Sequence, residues 1–256
     1  MILCMILRLD DKSDRGFSKY EYRLLYAGLS IAMIRDKMPK DFSLRIFCDK
    51  SGVEFAERMG VPRKDLFYHE IAGFHPKVSD SVIGIMISAG MSEGLPDPFL
   101  VFSDGTIITD FEGLRNNQFI FWTSTTSKIA RNTGDVDEAY ARSEFTKGKE
   151  PLKFYNCAVM GGVSSPVWIN MSNILNGMQD VAMKMNEIDI SVFVSSFLNG
   201  MELKEFSISG TAVRAPLHSR GNYTEDDMSK VRRRLKHSYR DVELALEKYM
   251  TDKQIF

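Results

Sequence analysis

Cysteine is scarce in this chain: Cys4, Cys48 and Cys157 are the three it has, with no CxxC pair and no cysteine/histidine spacing of the kind that holds zinc. That excludes a disulfide framework and a zinc knuckle. Charge of one sign is missing as well. Lys+Arg number 33 against Asp+Glu 34, a formal net charge of −1, so the chain as a whole has no electrostatic footprint for general polyanion binding. No apolar run approaches the roughly 20 residues that a membrane-spanning helix needs. The opening stretch MILCMILRLDDK is apolar from Met1 to Leu7, without a basic lead or a small-residue cleavage site. It reads as a strand and not as a signal peptide, and a cytoplasmic location is expected. The common nucleotide and hydrolase motifs are absent too: no Walker loop, no GxGxxG after the first apolar run, no GxSxG elbow and no HExxH.

What is present is the make-up of an ordinary globular protein, 44% hydrophobic and 26% charged over 256 residues, which suits one domain with an elaborated end. Fifteen methionines read as core filler. Ile2 to Leu9 is a near-continuous apolar run closed by Asp10-Asp11, the pattern of a strand buried on both faces. Tyr22, Leu25, Leu29, Ala32 and Met33 then recur at three- and four-residue steps and predict a core-facing helix that ends before Pro39. Ser43–Cys48 predicts a second strand and Gly52–Met59 a short helix closed by Gly60, so the chain opens βαβα. Asp65–Ile71 reads as a short strand, Pro76–Met91 as an amphipathic helix, and Phe99–Phe102 and Thr106–Thr109 as extended segments around Asp104-Gly105. Phe119–Thr123 is a further strand, and Ser127–Glu150 is polar enough to be a surface loop or lid. Lys153–Gly162 is a strand ending in paired glycines, where a backbone could approach a ligand closely. Ser164–Asn199 is largely helical, and Phe206–Ser209 and Ala212–Pro216 are short strands. From Thr224, a plausible N-cap, Met228, Val231, Leu235, Tyr239, Val242, Leu246 and Tyr249 mark one amphipathic helix whose apolar stripe is packing.

Chemistry can reside in acids at predicted strand ends, Asp10, Asp11, Asp49, Asp104 and Asp110, and in a late histidine, His218. In open α/β sheets ligands gather at that edge. Carboxylates with an imidazole can bind a divalent cation, and a cation neutralises a diphosphate leaving group. Each acid alone also reads as a turn former or helix cap, and His218 as a loop histidine bonded to backbone.

Three segments taken in order carry a resemblance: FLVFSDGTIITDFEGL from Phe99 to Leu114, YNCAVMGG from Tyr155 to Gly162, and HSRGNYT from His218 to Thr224. They resemble, in turn, the Asp-x-Asp strand end, the FNSGV-like strand and the HxxGxxK segment of GT-A glycosyltransferases, most closely the retaining glycogenin and galactosyltransferase-like enzymes. The resemblance runs over residues 1–224 and is divergent. Ser103, Asp104 and Gly105 stand where the family has two aspartates, and Thr224 stands at the lysine position. It implies an α/β fold of GT-A, Rossmann-like type, with a mixed, mostly parallel central sheet flanked by helices and a C-terminal amphipathic helix. Residues 1–224 would be the transferase domain and 225–256 a helical extension packed on it.

The function implied is transfer of a sugar from a nucleotide-diphosphate donor to an acceptor (a saccharide, glycolipid, protein or modified DNA base), with retained configuration. Asp104 and His218 would hold Mn²⁺ or Mg²⁺. Asp10 or Asp11 would lie by the base and ribose, and Lys77 or Arg220 would pair with phosphate oxygens. Ser103 and Gly221 would line the donor, and Gly161 and Gly162 would face the sugar or acceptor. Asn156 and Asp189 would be the catalytic pair, Asp189 corresponding to the start of a later helix in the family.

Two other functions stay open. A nucleotidyltransferase shares this fold class, yet it usually has a Gly-rich phosphate loop after the first strand, and Leu9–Tyr20 contains a single glycine. A catalytically inactive GT-A-like binding module is the other. Finally, Ser229–Arg240 concentrates Lys230, Arg232, Arg233, Arg234, Lys236 and Arg240 on one helix. It reads either as a solvated face balanced by Asp241, Glu243 and Glu247, or as a patch at Arg232–Arg234 and Lys236 for DNA or an anionic membrane.

Overall fold

The computed structural model describes residues 1–10, 19–68, 71, 74–75, 78–94, 97–114, 119–124, 154–177, 182, 185, 187–199, 206–207, 213–214 and 225–255. In chain order the elements are β1 (Ile2–Leu7), α1 (Tyr20–Lys37), β2 (Ser43–Cys48), α2 (Lys50–Arg58), β3 (Leu66–Phe67), α3 (Asp80–Gly94), β4 (Phe99–Ser103) and β5 (Ile107–Ile108). There follow β6 (Phe119–Ser124), β7 (Phe154–Gly162), α4 (Pro166–Gly177), α5 (Glu187–Asn199), β8 (Phe206–Ser207), β9 (Val213–Arg214), α6 (Glu225–Ser238) and α7 (Arg240–Asp252).

Seven strands form one mixed sheet in the order β3-β2-β1-β4-β7-β6-β8, and β5 pairs with β9 beside it. β1 runs parallel to β2 and β4, β2 to β3 and β6 to β8. β7 runs antiparallel to both β4 and β6. The mostly parallel sheet with flanking helices expected from the resemblance is what the chain forms. Both faces of the sheet are covered, which is why β1 is apolar at every position. Because side chains alternate, Leu3, Met5 and Leu7 join Leu44, Ile46, Leu100 and Phe102 in a core shared with α1, α6 and α7. Ile2, Cys4 and Ile6 point the other way and join Phe47, Phe99 and Val101 in a second core with α3, α4 and α5.

α1 lies between the sheet and the α6–α7 pair, so it is buried nearly all round, from Tyr22 to Leu25 and from Ala27 to Ile34. The apolar stripe from Met228 to Tyr249 is buried throughout. It belongs to two helices, however, where the periodicity predicts one: Tyr239 breaks the run at φ −142° and ψ 55°. The break turns α7 back across α1, where Leu246 meets Gly28 so closely that a Cβ there would stand 2.5 Å from Leu246 Cδ1.

Two other expectations change. Among the described residues of the predicted 65–71 strand, Leu66–Phe67 pair with β2, and Arg63–Asp65 before them form a 3-10 turn. The helix read as starting at Pro76 begins at Asp80. Residues 127–150 lie outside the described residues. Among the described residues no helix is long and apolar enough to cross a membrane.

Candidate functional site

Parallel pairing of β1, β2, β3 and β4 brings their carboxyl ends to one edge. Three acids read from the sequence arrive there together: Asp10 after β1, Asp49 after β2 and Asp104 after β4. The first two cap α2. Asp49 accepts the Gly52 N–H at 2.8 Å through Oδ1 and the Asp10 N–H at 2.7 Å through Oδ2. Asp10 accepts the Ser51 N–H at 2.9 Å and the Lys50 N–H at 3.3 Å. Two carboxylates thus satisfy the open amides at a helix N-terminus and match its positive end.

Asp104 is buried, 3% exposed. Its Oδ2 receives Arg23 Nε at 2.8 Å and lies 2.7 Å from Arg23 Nη2. Arg23 Nη2 also donates to the Arg8 carbonyl at 2.7 Å, so one guanidinium ties the first turn of α1 to the ends of β1 and β4. A second buried guanidinium, that of Arg8, donates to the carbonyls of Val78 at 2.6 Å and His75 at 3.1 Å and lies 3.3 Å from Asp80 Oδ1. It therefore holds the chain on both sides of Lys77. Tyr20 donates to the Leu9 carbonyl at 3.2 Å. Burial, with added repulsion from Asp49, Asp104 and Asp10 and an opposing pull from Arg23, pushes its phenol up to about 12. Ser103 and Thr106 beside Asp104 are buried, their hydroxyls 3.5 Å apart.

Asn156 reaches the same edge. β7 runs against β4 with Val159 opposite Phe102, so Asn156, three residues earlier in β7, stands past the end of β4. The Cys157 N–H donates to Ser191 Oγ at 3.4 Å, which sets the first turns of α5, with half-buried Asp189, alongside. Gly161 and Gly162 do not join them. They pair with Leu100 and Phe99 at the opposite end of β4, roughly 13 Å away at about 3.3 Å per residue. Their glycine character has a local cause: a Cβ on Gly161 would stand 2.2 Å from the Phe99 carbonyl, and Gly162 has φ +124°. The close backbone approach at Gly161 is to the neighbouring strand β4.

Asp11, Lys77, His218, Arg220 and Gly221 lie outside the described residues. The flanks of the segment carrying His218 are described. Arg214 pairs with Ile107, three residues from Asp104, and Glu225 accepts from Tyr22 and lies 3.4 Å from Lys19 at the start of α1.

The resemblance implies a divalent cation on Asp104. The described residues do not fit one there, because the Asp104 carboxylate already meets a guanidinium in a dry setting. Nor does any group of three or more His, Cys, Asp or Glu side chains converge as metal ligands among the described residues. Arg8 and Arg23 are the site residues that motif reading misses. Their signal is modest: each is a charge inside an apolar run, and a buried charge must find a partner.

No protein-family model matches the chain, and no curated protein matches it. Among solved structures it is similar to the galactosyltransferase LgtC in complex with donor and acceptor sugar analogs, at 14% identity and a TM-score of 0.40 over 77% of this chain and 70% of that one. It is similar to mouse xyloside xylosyltransferase 1 in its apo form, at 13% identity and a TM-score of 0.44 over 96% of this chain and 93% of that one. An active-site mutant of LgtC matches at 10% identity and a TM-score of 0.41 over 90% of this chain and 95% of that one.

Proposed function

We propose that this protein is a glycosyltransferase that takes a sugar from a nucleotide-diphosphate donor held at the carboxyl edge of the sheet. One observation carries the reading: Asp104 of the first family-like segment, Asn156 of the second and the described flanks of the third, far apart in sequence, come to this one edge. Asp104 follows β4, Asn156 lies past that strand's end, and the flanks of the HSRG segment sit beside β5 and α1. In this reading Asp10 and Asp11 face the base and ribose, Lys77 and Arg220 pair with phosphate oxygens, and Ser103 and Gly221 line the donor. Asn156 and Asp189 orient the sugar and acceptor, and the product keeps the donor's configuration. Mn²⁺ or Mg²⁺, if used, would neutralise the departing diphosphate. His218 is the ligand the resemblance leaves for it, so the phosphate charge falls first to Lys77 and Arg220.

Exposed Arg233, Arg234 and Lys236 on α6 would suit a polyanionic acceptor such as DNA or an anionic glycolipid, whereas Arg232 is engaged by Glu21 and Glu225. A cytoplasmic setting agrees with three buried cysteine thiols.

The test is release of nucleoside diphosphate from UDP-, GDP-, ADP- and dTDP-sugars, in Mn²⁺, in Mg²⁺ and in EDTA, without acceptor. Release from one donor supports the reading and names the sugar. Silence across the panel, with no thermal shift from any donor, sinks it in favour of a non-catalytic binding module; pyrophosphate release from a nucleoside triphosphate and a sugar phosphate would point to a nucleotidyltransferase.

A further inference from the structure

We propose that Asp104 is the counter-ion of Arg23 and not a cation ligand, and that Arg23 is a positioning residue which locks the carboxyl edge of the sheet together. The inference stands on the ion pair itself and holds whether or not the donor reading does. Arg23 is fully buried, at 0% exposure, and a guanidinium in that position stays charged. It needs an anion beside it, and Asp104 supplies one with two contacts to the same oxygen at 2.8 and 2.7 Å. A divalent ion drawing on this carboxylate would compete with the guanidinium for it and bring two positive charges together in a dry environment, a costly arrangement. A further Arg23 bond, to the Arg8 carbonyl, extends the lock. Arg8 in turn grips the carbonyls on both sides of Lys77. One chain of contacts thereby runs from Asp104 through the buried Arg23 and Arg8 to the carbonyls of Val78 and His75, and it sets the relative positions of the ends of β1 and β4, the start of α1 and the segment before α3.

The experiment compares the full chain with Asp104→Asn, Arg23→Met and the double variant Arg23→Met/Asp104→Leu, reading thermal midpoint and Mn²⁺ binding by electron paramagnetic resonance, each alone and with UDP, GDP or ADP. Neither readout depends on turnover, so a failed donor panel does not disturb it. Each single variant should lower the midpoint by about 10 °C, since one buried charge is left without its partner. The double variant should recover most of that loss, because a buried pair can be replaced by apolar groups with little net cost. Mn²⁺ affinity should match in wild type and double variant within twofold, or both should show no protein-dependent binding. A tenfold or greater loss of Mn²⁺ affinity in the folded double variant would overturn the proposal. So would an Asp104→Asn midpoint equal to that of wild type.

Discussion

Glycines at Gly161 and Gly90 show how differently one residue type can be constrained. At Gly161 a Cβ has no room, with the Phe99 carbonyl 2.2 Å away and the Leu100 Cα 2.8 Å away, both backbone and unable to yield. Gly161→Ala should cost about 2–3 kcal/mol or prevent folding. Gly90 is exposed on α3 with nothing within 4 Å, so Gly90→Ala should stabilise by about 0.5–1 kcal/mol; urea unfolding measures both, and equal effects would refute the strand-contact account. Tyr20 makes a separate prediction. Its phenol is pushed up to about 12, chiefly by burial, against about 10 in an unfolded chain. A group with a raised native pKa contributes stability that is complete below the unfolded value and is lost as pH climbs through the native one. Stability should therefore fall between about pH 10 and 12, and Tyr20→Phe should flatten that fall; an unchanged alkaline slope in a thermal-midpoint series would refute it.

At the scale of the element, α7 is the informative one. Its sequence is amphipathic but unremarkable, yet Leu246 is 1% exposed and fills the notch left by Gly28 on α1. Tyr249 packs edge-on against Phe55 at 5.1 Å, and Arg58 lies 2.5 Å from Asp252, so the far end of α7 is fastened to α2. Leu246→Ala should cost about 2–5 kcal/mol by urea denaturation, as other core truncations do. A cost under 1 kcal/mol would mean that α7 rests on the surface. Tyr239, at the break, donates to Asp36 at 3.1 Å, which anchors the α6–α7 corner to the last turn of α1. The basic run on α6 is partly absorbed locally. Lys230 pairs with Asp226 and Arg240 with Glu243 on the same helices, and Arg232 with Glu21 on α1. The acidic partners expected from i,i+4 spacing were thus only partly the right ones, because α1 supplies Glu21 from across the helix interface.

For the whole molecule, the two cores share the sheet, and α6 and α7 belong to the first of them. Unfolding should accordingly be a single transition. Tryptophan fluorescence, which includes Trp168 in the second core, should coincide with far-ultraviolet circular dichroism. A separate early transition of the C-terminal helices would show that residues 225–256 are an independent unit. Much of the architecture could be read without coordinates. The continuous apolar run of β1, the helical spacing in α1 and the acids at strand ends follow from local periodicity, and periodicity depends only on neighbours in the chain. Motif order also pointed to the edge at which β1, β4 and β7 place Asp10, Asp104 and Asn156. The pairings of buried charge were not legible in this way. That Arg23 would reach Asp104, 81 residues away, that Gly161 would face a strand carbonyl, and that Asp10 and Asp49 would cap one helix together depend on which strands become neighbours. Strand order is set by packing across the whole sheet, so residue types and spacing could nominate these groups, while the folded sheet decided their partners.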